Sequence, residues 1–379
     1  MPTHSAHVVG RGIVGLALAF ELSQRNWAVT VVGPRAVAGT ASRAAVGVSN
    51  LKGHITGASP LFATKIRGHQ GLMAWLTRVE AASGRVIPRQ FGQVYEPFAS
   101  LTEFDGIRTR VFHRMFTGCF GVKVLDAKAL QAHFAECPQV SLPRLYRGAF
   151  RYPNDGWFDP VACLEALEEA LRRRGTRFIE EPVTRIQPHS DRGLTISTIS
   201  GQILFAEEVL LAAGVFSDAI LAASGLPCLR QEVVAGETVF GAWGGPVDIV
   251  VKSGKTNVVA NGRRLIVGST SRRLLAPFDG VLGPDPSGVR DLTLLGRQLL
   301  GFSGEPTVCW GLRGRFRDRC PAIGPLFWHG AERRLWVALG FYKNGLQLSH
   351  LFAQEIANSL ASATPFSPSS AFAAARLFP

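Results

Sequence analysis

Apolar residues along this chain recur with two different periods, and the pattern predicts a mixed α/β fold. Near the start, the apolar pair Val8-Val9 leads through glycines into the amphipathic segment 16–22, and a second apolar run follows at 28–32. A strand, a helix and a second strand in this order form a β-α-β unit, the building block of a doubly wound parallel sheet.

Further elements are predicted downstream by the same periodicities. Apolar positions at helical spacing predict a helix over 61–83 that ends at Gly84. Asp159 followed by Pro160 predicts another helix start, because aspartate is a good N-cap and proline suits the first helical position. We expect the last helix at 346–360, and strands at 177–179, 183–186, 194–199, 208–217, 265–270 and 335–339.

Two interior stretches differ from the β-α-β pattern. Residues 81–149 are rich in β-branched and aromatic residues and broken by glycine and proline, and residues 226–309 are strand-like and interrupted. We expect these stretches to form a second, β-rich α+β domain. The remaining stretches, 1–80, 150–225 and 310–379, are expected to form a Rossmann-like, doubly wound dinucleotide-binding domain interleaved with it.

The glycines after the first apolar run give the first chemical signal. Gly10, Gly12 and Gly15 match the Gly-x-Gly-x-x-Gly fingerprint, which allows a tight turn, close approach of a pyrophosphate and close packing of helix on sheet. The acidic residue expected about 20 positions later, where it would bind a ribose hydroxyl, is replaced by Gly33. A glycine-rich turn without a nucleotide therefore stays open as an alternative.

Two other stretches suit a large, flat ligand. Residues 39–47 are mostly small, so the backbone there can approach a cofactor ring, although Ser42 as the cap of an ordinary helix explains them equally well. Residues 340–345 form a second glycine turn between a predicted strand and a predicted helix. Two helix starts in one domain could hold partial negative charge at two places, a pyrophosphate and an electron-rich ring.

Composition limits the class of protein. The chain has 379 residues, 46% of them hydrophobic and 18% charged, and nothing in it resembles a signal peptide or a span of about 20 apolar residues. We therefore expect a soluble, cytoplasmic protein. The cysteines show no metal-ligand spacing, so we expect no metal site and free thiols at Cys119, Cys137, Cys163, Cys228, Cys309 and Cys320.

The net charge of +13 raises the question of an anionic partner. The basic residues are dispersed along the chain. Glu168 and Glu169 stand four positions before Arg172 and Arg173, which predicts ion pairs on a helix surface rather than a nucleic-acid patch. Nucleic-acid binding is therefore the less favoured interpretation.

Taken together, these segments resemble the D-amino-acid oxidase family of FAD enzymes, and most closely its glycine-oxidase-like branch. The resemblance spans nearly the whole chain and rests on ordered motifs at 10–15, 41–47, 159–160, 211–214, 311–313 with Asp318, 321–324 and 340–346. It implies that FAD is the cofactor and that Arg313 pairs with a substrate carboxylate, a role that suits two parallel donors and a permanent charge. An ion pair between Arg313 and Asp318 stays open as a structural alternative.

The resemblance also implies the residues of the site. Those implied to be nearest the substrate are Arg313, Tyr342 and Lys343. Those implied to contact FAD are Gly10, Gly12, Ile13, Val14, Gly15, Arg35, Ala41, Ser42, Ala45, Gly47, Val183, Ala213, Gly214, Gly340, Tyr342, Lys343, Asn344, Gly345 and Leu346.

The implied reaction is oxidation of the C–N bond of a small amine or amino acid, with hydride transfer to the flavin, an imine that hydrolyses, and O₂ as the usual electron acceptor. The chain departs from the family where Gly33 replaces the ribose-binding acid, Phe341 a histidine and Lys343 an arginine, and where segment 255–259 lacks the substrate tyrosine. Glycine is therefore not assumed as the substrate, and the oligomeric state stays open.

Two alternatives remain from the sequence. One is a tRNA-modifying FAD oxidoreductase that acts on an amine-linked carboxymethyl group, which the positive charge favours. The other is a non-catalytic flavoprotein maturation partner, which the missing acid and tyrosine favour.

Overall fold

The computed structural model describes residues 4–35, 39–51, 60–116, 121–189, 193–262, 264–274, 283–326, 335–362, 366 and 368–377. Its helices are α1 (Ile13–Ser23), α2 (Pro60–Ser83), α3 (Leu101–Phe116), α4 (Ala127–His133), α5 (Leu142–Leu145), α6 (Pro160–Arg173), α7 (Ser217–Ala223), α8 (Pro286–Leu300) and α9 (Gly345–Ser362).

The strands in the first part of the chain are β1 (Ser5–Val9), β2 (Ala28–Val32), β3 (Gly39–Thr40), β4 (Val48–Ser49), β5 (Arg89–Phe91), β6 (Val94–Phe98), β7 (Lys123–Asp126), β8 (Gly148–Tyr152), β9 (Gly156–Phe158), β10 (Arg177–Ile179), β11 (Val183–His189), β12 (Gly193–Thr198), β13 (Ile203–Ala206) and β14 (Glu208–Leu211). Those that follow are β15 (Glu232–Ala242), β16 (Ile249–Ser253), β17 (Thr256–Asn261), β18 (Arg264–Gly268), β19 (Arg272–Arg273), β20 (Ser303–Arg315), β21 (Ala322–Leu326) and β22 (Leu335–Leu339).

A sheet forms around the first β-α-β unit and has, among the described strands, the order β10-β2-β1-β14-β22-β21. Neighbouring strands are parallel except for the antiparallel pair β21 and β22. β1 pairs with β2 on one side and with β14 on the other. The carboxyl end of β1 therefore lies in the middle of one edge of the sheet, where the connections on its two sides diverge.

Both faces of this sheet are covered. Apolar side chains of α1, α2, α6 and α9 form one core on the first face. The antiparallel sheet β11-β12-β13, together with α7, forms a second core on the other. Every residue of α1 from Gly15 to Ser23 is buried, because α6 and α9 pack against it as well as the sheet. Segment 16–22, predicted to be amphipathic, is therefore buried on all sides, and its one charged residue, Glu21, pairs with Arg25 and Arg78.

The longest sheet runs, within the described residues, in the order β3-β20-β15-β18-β17-β16-β6-β8-β7, with β19 beside β15. Its strands are antiparallel except at the pairs β3–β20 and β6–β16. Helices α4, α5 and α8 share an apolar core with it. β20 pairs with β15 and, near its end, with β3 at Gly311 and Leu312, which brings this sheet to the edge of the parallel one.

Most predicted elements are confirmed. α2 and α9 match the predictions 61–83 and 346–360 to within two residues at each end, and β22 matches 335–339. α6 begins at Pro160, and the Asp159 carboxylate accepts a hydrogen bond from the Val161 N–H at 2.9 Å. Both ion pairs predicted for the surface of α6 are present, each with an N–O distance of 3.0 Å.

Two predictions were wrong in extent. The apolar run 208–217 is a strand only to Leu211, because Gly214 takes a φ of +59° and begins a 3₁₀ turn, Gly214–Phe216, that leads into α7. Residues of the stretch expected to be strand-like form α8, which begins after Asp285 with its carboxylate accepting from the Ser287 N–H at 3.2 Å. The signal was present, since Asp285 followed by proline repeats the start of α6.

The state of the cysteines and the apolar character of the helices are the last features of the fold. Among the described residues, free thiols lie at Cys137, Cys163, Cys228, Cys309 and Cys320, while Cys119 lies outside those residues. None of the described helices combines the length and apolar character needed to cross a bilayer.

Candidate cofactor and substrate site

A large cavity opens where the parallel strands end. It has a volume of about 600 Å³ and is lined by residues at or beyond the carboxyl ends of β1, β2, β14 and β22. Ligands of open α/β sheets bind at this edge. Of the residues predicted to contact FAD, this cavity is lined by Gly10, Gly12, Ile13, Val14, Arg35, Ala41, Ser42, Val183, Ala213, Gly214, Gly340, Tyr342 and Gly345.

The turn after β1 depends on its glycines for space. At Gly10, where φ is +116°, a Cβ would lie 2.4 Å from the carbonyl oxygen of Ala212. At Gly15 a Cβ would lie 2.0 Å from the carbonyl oxygen of Gly10, so this glycine lets α1 pack against the turn. The Ser42 hydroxyl accepts a hydrogen bond from the Ile13 N–H at 3.0 Å. Ser42 thus caps α1 from a distance and begins no helix of its own.

Arg11, inside the glycine turn, ties that turn to α6. Its guanidinium donates to Glu168 at 2.9 and 3.0 Å and to Glu180 at 2.8 Å. Burial by itself would raise the pKa of Glu168, but the hydrogen bonds and charge of Arg11, followed by those of Arg172, hold that pKa below its ordinary value. Sequence reasoning missed Arg11, although a basic residue within an otherwise apolar motif was a usable signal.

The large cavity suits phosphates. Its charged lining residues, within the described part of the chain, are Arg11, Arg35 and Arg313, all of them cations. Gly33 follows β2 with a φ of +154°, and its N–H donates to the Ile179 carbonyl oxygen at 2.9 Å. Arg11 and Arg35 both pair with Glu168, so the fit to the pyrophosphate of a dinucleotide rests on the N-terminus of α1 and on the side-chain-free approach at Gly12.

A second cavity of about 180 Å³ adjoins the first. The two cavities share Ile13, Ala41, Ser42, Arg313, Tyr342 and Gly345. Of the other predicted residues, Ala45, Gly47, Lys343 and Leu346 line only the smaller cavity, whereas Gly15 and Asn344 line neither. The predicted residues therefore divide between two adjoining spaces.

Segment 255–259, which lacks the expected tyrosine, does reach the smaller cavity. Lys255, in the turn between β16 and β17, and Asn257 on β17 line it, together with Gly236 and Ser269. Sequence reasoning missed these four residues as site residues. They lie in one segment of the chain, 236–269, which the pairing of β15 with the distant β20 brings to Arg313, and no local pattern in the chain reports that pairing.

Arg313 lies on β20 where the two cavities meet. Its Nη1 donates to the Ser269 hydroxyl at 2.9 Å. Its Nη2 donates to the carbonyl oxygens of Ala235 at 3.1 Å and Thr270 at 2.6 Å. The alternative ion pair with Asp318 is absent, because Asp318 pairs instead with Arg376 at 2.8 Å.

These bonds change the way in which Arg313 can bind an anion. Both hydrogens of Nη2 are used by carbonyl groups of the protein, and the buried Nε has no partner. The two-donor edge expected from the sequence is therefore not free. Besides the buried Nε–H, one N–H of Nη1 remains unpaired. Burial lowers the pKa of Arg313, against the opposing effects of Tyr342 and Glu237.

Lys343 adds a second cation beside Arg313. The Lys343 Nζ lies 5.8 Å and the Arg313 Cζ lies 5.6 Å from the centroid of the Tyr342 ring. Part of Lys343 is exposed, but this residue also lines the smaller cavity. Burial of its ammonium group, followed by the charges of Arg313 and Lys255, lowers the pKa of Lys343 to about 8. The arrangement favours an anion that neutralises these charges.

Comparisons with known proteins agree with this geometry. Residues 6–359 match the family model DAO, FAD dependent oxidoreductase. The chain is 26% identical over 351 residues to glycine oxidase from Geobacillus kaustophilus (strain HTA426), covering 91% of this chain and 89% of that protein.

Solved structures share the fold. The crystal structure of glycine oxidase from Geobacillus kaustophilus matches with a TM-score of 0.79 at 24% identity, covering 98% of each chain. The crystal structure of iminodiacetate oxidase from Chelativorans sp. BNC1 matches with a TM-score of 0.81 at 18% identity, covering 97% of this chain and 98% of that one. Because the family model spans nearly the whole chain, the protein belongs to the DAO family of FAD-dependent oxidoreductases, and FAD is its cofactor.

Proposed function

We propose that this protein oxidises the C–N bond of a small amine that carries a carboxylate. The observation that carries the proposal is the junction of the two cavities, a large one suited to FAD and a small one with cationic walls, at Arg313 and Tyr342. The names of two similar proteins, glycine oxidase and iminodiacetate oxidase, point to substrates of this class.

The residues that would hold FAD come from both glycine turns. The pyrophosphate fits residues 10–13, where Gly12 has no side chain and α1 begins. Stretches 41–47 and 340–346 contribute to both cavities, which suits the flavin ring, whereas Arg35, Val183, Ala213 and Gly214 line only the large one. When bound, FAD supplies an acceptor for a hydride, which no side chain here provides.

The cationic side chains act on both ends of the substrate. The remaining Nη1 hydrogen of Arg313 and the ammonium of Lys343 together bind one carboxylate beside Tyr342. Their charges also lower the pKa of the substrate amine and so favour its neutral form. Loss of a hydride from carbon and a proton from nitrogen gives an imine, which water converts to a carbonyl compound and ammonia or an amine. O₂ is the proposed final acceptor of the electrons.

We also propose the interleaved domains predicted from the sequence. All six strands of the parallel sheet fall within 1–80, 150–225 and 310–379, which supports these as the cofactor domain. Most strands of the long sheet fall within 81–149 and 226–309, the proposed substrate domain. β8 and β20 cross the proposed boundaries, so each boundary moves by several residues.

Neither sequence-based alternative is favoured. The family match supports an oxidoreductase over a non-catalytic maturation partner. A cavity of about 180 Å³ beside the shared residues supports a small amine over a tRNA.

Anaerobic absorbance spectra test the proposed reaction. FAD-loaded protein should lose its flavin absorbance when a small primary or secondary amino acid is added, and regain it when O₂ is admitted. The matched control replaces each amino acid by the amine that lacks its carboxylate, which should bleach far less. Protein that dithionite reduces normally, but that none of the amino acids bleaches, refutes the proposal.

A further inference from the structure

We propose, building on the function above, that the preferred substrate carries a second anionic group and that Lys255 binds it. The substrate class is thereby narrowed to amines with two anionic groups, such as amino dicarboxylates. The argument concerns the cation cluster of the smaller cavity, which consists of Arg313, Lys343 and Lys255.

The cation cluster exceeds what one carboxylate neutralises. Among the described residues that line the smaller cavity, the cluster provides every charged side chain, and no aspartate or glutamate is present. The remaining polar side chains of the lining include Asn50, Asn257 and Ser269, which carry no charge. Three like charges around so small a space repel one another, and an anion that enters it reduces that repulsion more than the water at exposed Lys255 and Lys343 does.

The protein itself supplies little counter-charge. Within the described part of the chain, neither Lys343 nor Lys255 forms an ion pair, and the hydrogen bonds of Arg313 go to neutral oxygens. Glu237 acts on Arg313 from outside the cavity, but it also lies 3.9 Å from Arg272 and shares its charge with that residue. The depressed pKa of Lys343 agrees with uncompensated repulsion from Arg313 and Lys255.

The positions of the three cations assign their roles. Arg313 and Lys343 lie against the same Tyr342 ring, where the first carboxylate is proposed to bind. Lys255 comes from a different element, the turn between β16 and β17, with Asn257 beside it in the wall. The FAD pyrophosphate does not explain Lys255, because that lysine lines only the smaller cavity, and the phosphate-binding turn at 10–12 lines only the large one.

Binding of acids that cannot be oxidised tests the second anion directly. Succinate and butyrate have the same number of carbons and differ by one carboxylate, and each is titrated into FAD-loaded protein while the flavin spectrum is recorded. Succinate should bind about tenfold or more tightly than butyrate, as expected for one additional charged hydrogen bond. Aspartate should likewise bleach the flavin at about tenfold lower half-saturation than asparagine.

Charge removal locates the second anion. Lys255→Gln should reduce the succinate-to-butyrate ratio towards one. Lys123→Gln is the matched control, because Lys123 is an exposed lysine on β7 that lines neither cavity. Equal binding of succinate and butyrate, or an unchanged ratio in Lys255→Gln, overturns this proposal.

The outcomes separate the two proposals. Bleaching by N-methylglycine together with equal binding of the two acids overturns the second anion alone and leaves amine oxidation standing. Failure of every amine to bleach a dithionite-reducible protein refutes amine oxidation, and with it the substrate class, even if succinate binds tightly.

Discussion

Gly236 on β15 should be essential for the position of Arg313. A Cβ built at Gly236 would lie 1.9 Å from Arg313 Nη2 and 2.5 Å from the carbonyl oxygen of Thr270, closer than real Cβ contacts allow. Gly236→Ala must therefore displace the guanidinium, with loss of the Nη2 hydrogen bonds to Ala235 and Thr270. The overpacked strand should also cost about 1–3 kcal/mol of folding free energy.

The effect on substrate capture follows from one charged hydrogen bond. Such a bond contributes about 1.5–3 kcal/mol, so half-saturation in the anaerobic bleaching assay should rise about 10- to 150-fold. FAD content, measured as the ratio of flavin to protein absorbance, should stay near that of the parent, because Gly236 lines only the smaller cavity.

Gly244→Ala is the matched control for this substitution. Nothing lies within 4 Å of a Cβ at Gly244, and its φ is not positive, so all three measurements should be unchanged. In an Arg313→Ala background, Gly236→Ala should add little to the rise in half-saturation, since the side chain that it displaces is gone, whereas the clash with the Thr270 carbonyl oxygen should still lower stability. Unchanged half-saturation in Gly236→Ala, or a full additional loss in the double variant, refutes this account of how Arg313 is positioned.

Three further predictions follow from the site. Arg313→Ala should retain FAD but raise the substrate concentration for half-saturation of bleaching at least about tenfold, and Arg313→Lys should raise it less. If half-saturation is unchanged in Arg313→Ala, Arg313 is a structural residue. Burial and neighbouring charges lower the pKa of Lys343 to about 8, and a bound carboxylate favours its protonated form, so butyrate binding should weaken as pH rises through 8. If the Lys343→Gln protein shows the same weakening of butyrate binding with pH, Lys343 does not bind the carboxylate. Arg11→Met leaves Glu168 buried without its main partner, so thermal unfolding should show a loss of about 3–5 kcal/mol and FAD should dissociate more readily. Arg108→Met, a matched change at an arginine whose ion pair with Asp105 is exposed, should cost much less.

Local signals in the sequence account for the cofactor side of the site. The glycine fingerprint at 10–15 and the strand-turn-helix at 335–360 each lie within one continuous segment, so the residues that form them are also neighbours in sequence. The cap of α1 could not be predicted this way, because Ser42 reaches Ile13 from 29 positions away.

The substrate side depends on pairing between distant strands. Gly236, Lys255 and Ser269 lie within one continuous segment, and they reach Arg313 only because β15 pairs with β20. Apolar periodicity contains no information on this strand order. The hydrogen bonds of Arg313 could not be predicted from the sequence either. An arginine suggests a free edge with two donors, but the carbonyl oxygens of Ala235 and Thr270 accept hydrogen bonds from that edge.

The order of strands in the parallel sheet also has a consequence for synthesis of the chain. β1 ends at Val9, but its neighbour β14 begins at Glu208, and the walls of the large cavity are completed only by residues up to Gly345. At the usual rate of 5–20 residues per second, roughly 10 to 40 s separate the two strands on the ribosome. During that time, apolar β1 and α1 lack two of the partners that bury them, β14 and α9. Cofactor loading is therefore a late event, and the nascent N-terminal segment stays partly uncovered until α9 has been made.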